Sequence, residues 1–181
     1  MEQLQCLDEF IKGIGECDKK NLPNTKVIWN ISAFVNITSI DLKTTQRDLY
    51  ASTNDWEQRY YIRQAYLLMY EFFKTYYSEN KEFHIIVSTK LDVSSMQAEK
   101  SEVVRLVRDF RKKHEKTLEV IRHNTIAHRN GEVALQIKYI EELNLSDSIS
   151  IMVEFDNMLN MLGAYLNKVI KAGLKDIDLL K

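Results

Sequence analysis

Arg122 and His128 are the residues whose types and spacing best suit chemistry in this chain. They lie in the stretch 121–131, Ile-Arg-His-Asn-Thr-Ile-Ala-His-Arg-Asn-Gly, where His123 follows the arginine directly. An imidazole titrates near neutrality and suits proton transfer. A guanidinium stays charged and grips a phosphate with two prongs. On an unbroken helix, six residues turn through about 600°, so the two side chains would point roughly 120° apart. Either the helix ends between them, which Asn130-Gly131 supports as a stop signal, or a second chain completes the geometry.

The elements that must position this pair read as helices. The chain has 181 residues, enough for one domain with a substantial core. Five glycines and one proline against 45% apolar residues suit helices better than sandwiches or barrels, so an all-α up-and-down bundle of about five helices is expected. We expect a single helical domain over 1–181, with N-terminal helices over 1–50, the core bundle over 51–172 and a tail over 173–181. A formal charge of −1 gives no global pull toward nucleic acid or membranes. No apolar run approaches the ~18 residues of a membrane span. The first residues lack the basic start and apolar run of a signal peptide. Cys6 and Cys17, 11 positions apart on one expected helix, sit roughly 16 Å from each other, too far to pair. A reducing cytoplasm is the expected location.

Residues 2–17 place Leu4, Leu7, Ile11 and Ile14 at helical spacing, with Gly13 and Gly15 weakening the helix slightly. Pro23 marks the link to a second element over 26–50. Its β-branched residues leave a strand over 31–40 open, but no hairpin partner exists and a helix is preferred. Asn54 and Glu57 resemble a capping box that starts the next helix. From Trp56 to Tyr77 that helix is apolar nearly all round, as expected of a bundle centre. Its tyrosines suit core packing better than base stacking. Arg59 and Arg63 sit one turn apart on it, snorkelled or paired. Residues 82–88 read equally as helix or extended chain, with His84 a structural histidine.

Ser94-Ser95-Met96-Gln97 offers a cap for the longest helix, about 95–127, on the order of 50 Å. Val103, Val107, Phe110, His114, Leu118, Ile121 and Thr125 form its apolar stripe, with His114 a hydrogen-bonded core residue. Between 100 and 129, nine Lys/Arg face four Asp/Glu, which concentrates positive charge on the helix leading to Arg122. Arg105, Arg108, Arg111, Lys112, Lys113 and Lys116 are the candidate contacts to an anionic partner such as RNA. The plainer reading is a solvated helix face. Residues 130–146 form a connection that packs down, and Ser146-Asp147-Ser148 starts the last helix. His123 and His128, five apart, are poorly spaced for one helical face, so neither a metal site nor any other cofactor is expected.

Arginine, a polar residue, four more positions and then histidine, late in a helical bundle and followed by one more amphipathic helix, resembles the signature of the HEPN superfamily. The Ala-His-Arg-Asn ending and the later Leu-Asn-Leu-Ser-Asp resemble its abortive-infection branch. The resemblance covers roughly 50–172 and leaves the first two helices as an addition or as part of an expanded bundle. It implies a metal-independent endoribonuclease, a toxin or phage-defence effector, with a site shared by two protomers. Arg122 would then stabilise phosphate charge and His128 would serve as acid or base. His123, Asn124 and Arg129 would support them. The attacking group would be the ribose 2′-hydroxyl, leaving a 2′,3′-cyclic phosphate and a 5′-hydroxyl. One His and one Arg per chain are too few for acid plus base catalysis, and a homodimer supplies the second set. An antitoxin protein is a further partner the resemblance allows. Relatives regulated by tyrosine modification carry that tyrosine two residues after the histidine, where this chain has Asn130. The alternative is a non-catalytic HEPN helical dimer that binds a partner protein, nucleic acid or nucleotide. A purely structural adaptor would need acidic partners on the basic face.

Overall fold

Glycine and proline are too scarce to break the chain often, and the computed structural model is accordingly all-α, with no strand among the described residues. It describes residues 2–91, 94–127 and 132–175. Among the described residues there are six α-helices: α1 (Glu2–Lys20), α2 (Pro23–Ala51), α3 (Asp55–Lys90), α4 (Gln97–Arg122), α5 (Val133–Glu141) and α6 (Leu145–Lys175). A 3₁₀ turn, Ser94–Met96, precedes α4, and a π turn, His123–Ala127, follows it.

The strand reading of 31–40 does not hold, because that segment lies inside α2 and buries Ile31, Val35 and Leu42. Residues 82–88 are likewise helical, and α3 runs on to Lys90 as the longest helix among the described residues. Here tertiary burial of Phe83, Ile86 and Val87 outweighs the weak helix propensity of β-branched residues. The capping box at the start of α3 forms. Asn54 Oδ1 accepts from the Glu57 amide at 3.0 Å, and Glu57 Oε2 accepts from the Thr53 amide at 3.0 Å.

Three expected boundaries shift. Ser94 and Ser95 do not cap α4, whose N-cap is Met96 with no side-chain cap bond. The connection over 130–146 contains α5, a nine-residue helix. The last helix begins one residue earlier than Ser146, with Asn144 Oδ1 accepting from the Asp147 amide at 3.0 Å.

The core gathers around Phe72 of α3. Its ring stacks on Phe34 of α2 at 5.5 Å and on Tyr76 at 5.3 Å, and meets Phe155 of α6 edge-on at 5.3 Å. Phe110 of α4 joins through Phe73 and Phe155. Helix α2 therefore contributes to the same core as α3, α4 and α6. Helix α1 lies on α2, where Phe10 meets the edge of Trp29. None of the described helices is long and apolar enough to cross a membrane.

Candidate functional site

Helix α4 delivers Arg122 as its last residue, and the backbone then widens. The His123 amide still reaches the Glu119 carbonyl at α spacing and is shared with that of Val120, before the ladder widens over His123–Ala127. Two side chains turn back onto carbonyls of the last α4 turn. Asn124 Nδ2 donates to Val120 O at 2.7 Å, and Thr125 Oγ1 donates to Ile121 O at 2.6 Å. Thr125 is buried at 2% exposure, so the turn is pinned from beneath. Its own carbonyl accepts from Arg63 Nη1 of α3 at 3.4 Å and from Gln136 Nε2 of α5 at 3.3 Å. Arg59 completes the clamp, donating to the Ile140 and Glu141 carbonyls at the end of α5, where a cation also suits the helix dipole. The two arginines expected to snorkel or pair thus serve backbone carbonyls around the motif.

Arg122 is held on two sides. Its Nε donates to Glu71 Oε1 at 2.9 Å, and its guanidinium carbon lies 4.7 Å over the Tyr70 ring. An arginine over an aromatic face gains a cation–π attraction as well. The side chain retains 19% exposure, enough for one edge to meet a ligand while the rest is fixed. His123 completes the group: its Nε2 is 3.5 Å from Arg122 Nη1, and its ring meets Tyr70 edge-on at 6.4 Å.

Of the motif residues, the structure brings together Arg122 and His123. It turns Asn124 onto its own helix, where it supports the turn rather than the guanidinium. His128 and Arg129 lie outside the described residues. Two members of the site were not foreseen: Glu71 and Tyr70. Glu71 had a signal in the sequence, as the one acid within the apolar run Tyr66–Phe73.

The expected basic face is largely neutralised by its own acids. Arg105 pairs with Glu102 at 2.6 Å and Asp109 at 3.2 Å, Arg108 with Asp109 at 3.1 Å, and Arg111 with Glu115 at 2.6 Å. Lys113 reaches across to Glu154 of α6 at 2.7 Å, and the same carboxylate oxygen lies 3.1 Å from Nε2 of buried His114. Lys112 and Lys116 are exposed and make no ion pair among the described residues. The net positive surface is therefore narrower than the residue count implies. His84 packs into α3, where Nε2 lies 2.7 Å from Asn80 Nδ2. Among the described residues no group of three or more His, Cys, Asp or Glu side chains is placed to hold a metal ion. Comparison of the chain with family models, with curated proteins and with solved structures gives no match.

Proposed function

We propose that this chain is a HEPN-type, metal-independent endoribonuclease whose site forms from two copies, each giving Arg122 and His128. The observation that carries the reading is the placement of Arg122. It ends a helix beside a π turn, a backbone form found often at functional sites, and it is fixed yet partly open beside His123. In the reaction, the 2′-hydroxyl of the RNA attacks the adjacent phosphorus while one imidazole takes its proton. The 5′-oxygen leaves as the second imidazole protonates it, and the products are a 2′,3′-cyclic phosphate and a 5′-hydroxyl. Arg122 binds the phosphate oxygens as charge builds on them. The nucleophile belongs to the substrate, so the step asks only for acid, base and cation. Cytoplasmic RNA is the natural substrate of such a protein, and a toxin or phage-defence role with a neutralising antitoxin follows from the same resemblance.

Purified protein incubated with RNA in EDTA tests this. We expect cleavage that is lost in both Arg122→Ala and His128→Ala. An intact RNA, or cleavage indifferent to both changes, sinks the proposal. A second reading has its own support in the Glu71–Arg122 ion pair, which occupies the guanidinium from within the chain. There Arg122 ties α3 to α4 in a non-catalytic helical dimer that binds a partner protein, nucleic acid or nucleotide. Loss of thermal stability in Arg122→Ala without any RNA cleavage by the parent protein favours it.

A further inference from the structure

A groove of about 240 Å³ opens between α3 and α4, walled by Tyr70, Lys74 and Tyr77 on one side and Arg111, Glu115 and Leu118 on the other, with Phe73 completing the lining. On α3 the wall residues are spaced four and three apart; on α4, positions 111, 115, 118 and 122 follow the same rule. Arg122 therefore belongs to the same stripe as the groove, and Tyr70 is shared by both. The groove repeats the arrangement at the motif. Arg111 lies 4.4 Å over the Tyr77 ring, as Arg122 lies over Tyr70, and the two tyrosines are ~10 Å apart along α3.

The chemistry is that of one nucleotide. The volume falls below the ~300–1,000 Å³ of a drug-sized site and suits a single flat ring system. Arg111 covers one face of the Tyr77 ring and Phe73 stacks on it at 6.4 Å, and the 41% exposure of the residue is the aromatic surface left beside them. The charges divide unevenly. Glu115 takes up Arg111 at 2.6 Å, and Glu71 holds Arg122 at 2.9 Å. Lys74 pairs with that same Glu71 at 4.0 Å, the longest of these three ion pairs, and its side chain stays 66% exposed, so its ammonium is the most loosely held of these cations. One cation beside an open aromatic surface matches one phosphate beside one base. An acidic peptide would meet the same carboxylates, Glu71 and Glu115, with no base to set against the Tyr77 ring.

We propose that this groove binds the single-stranded RNA flanking the cleaved bond, stacking one base on Tyr77 and holding its phosphate with Lys74. This rests on Arg122 as the phosphate-binding end of the stripe. The test uses the full chain and a fluorescein-labelled 2′-O-methyl hexanucleotide, which binds but has no free 2′-hydroxyl to attack. Tyr77→Ala should weaken binding about tenfold, whereas Tyr77→Phe, which keeps the ring, should bind as the parent does. Lys74→Gln should weaken it severalfold and flatten the slope of log K against log salt by about 0.7. Unchanged binding in both Tyr77→Ala and Lys74→Gln overturns the groove, and cleavage that still depends on Arg122 then leaves the ribonuclease reading standing. Groove-dependent binding without cleavage of native RNA does the reverse. AMP binding as tightly as the hexanucleotide also overturns the proposal, since a strand is then not required.

Discussion

Glu71 and Arg122, 51 residues apart in sequence, meet at 2.9 Å on the open edge of the α3–α4 interface. The carboxylate both fixes the guanidinium and cancels part of its charge, and two substitutions separate these effects. Glu71→Gln keeps an acceptor for Nε but removes the charge, so RNA should bind several times more tightly with cleavage retained. Glu71→Ala frees the guanidinium to swing, and cleavage should fall by up to ~10²-fold, the cost of a misplaced positioning group. Equal rates in the two variants, measured on one labelled RNA, would refute a positioning role.

Arg63 should matter for stability before it matters for chemistry. It is buried at 9% exposure and donates to the Thr125 carbonyl and to its own helix at Arg59. Arg63→Met keeps the stem and removes the donors. Hydrogen bonds from charged groups contribute ~1.5–3 kcal/mol, so Tm should drop by roughly 3–12 °C for a chain of this size. An unchanged melting curve would show that the π turn stands without its clamp.

The paired glycines of α1 should respond in opposite directions. A Cβ on Gly13 would sit 2.6 Å from the Trp29 ring, whereas one on Gly15 meets nothing within 4 Å. Gly13→Ala should therefore cost ~1–3 kcal/mol through overpacking. Gly15→Ala should gain ~0.5–1 kcal/mol by removing backbone freedom from the unfolded chain. Urea titration of the two variants gives the comparison, and a stabilising Gly13→Ala would refute the close approach.

Stability should also depend on pH through His84. Burial, with a smaller contribution from Lys100, holds its imidazole below the usual 6.5. The folded state thus favours the neutral ring, which can accept from Asn80. This contribution is complete above pH 6.5 and is lost as pH falls through the depressed folded value. His84→Gln should flatten the decline of stability on acidification below pH 6.5. Parallel curves for parent and variant, from denaturation at several pH values, would contradict this.

What was legible in the sequence follows from the range of each interaction. The helical class and the Asn54–Glu57 cap rest on composition and on neighbours three residues apart, and both were readable. The long helix expected over about 95–127 divides into α4 and the π turn His123–Ala127, a change of spacing that no local pattern in the sequence announces. Helix α5 was missed because nine residues without a side-chain cap, with apolar positions scattered among polar ones, look like a packed loop. The salt bridges on α4 were open to reading at spacings of three and four, yet counting charges hid them. Glu71 stands out as an acid in an apolar run, but its pairing with Arg122 was beyond reach, because that partner is set by how α3 and α4 pack and not by local pattern. Gly13 looked like a simple weakness of α1, and its reason lies in the ring of Trp29 on the next helix.

The π turn at His123–Ala127 has a consequence for length. A π turn holds one residue more than an α turn, so the chain leaves it about 100° out of phase with the helix it continues. Removing a single residue from the turn would restore α phase there and rotate the side chains of Asn124 and Thr125 about the helix axis, with almost no change in reach. One surplus amino acid thus sets where those two side chains point, and a one-residue deletion acts on them as a change of bearing.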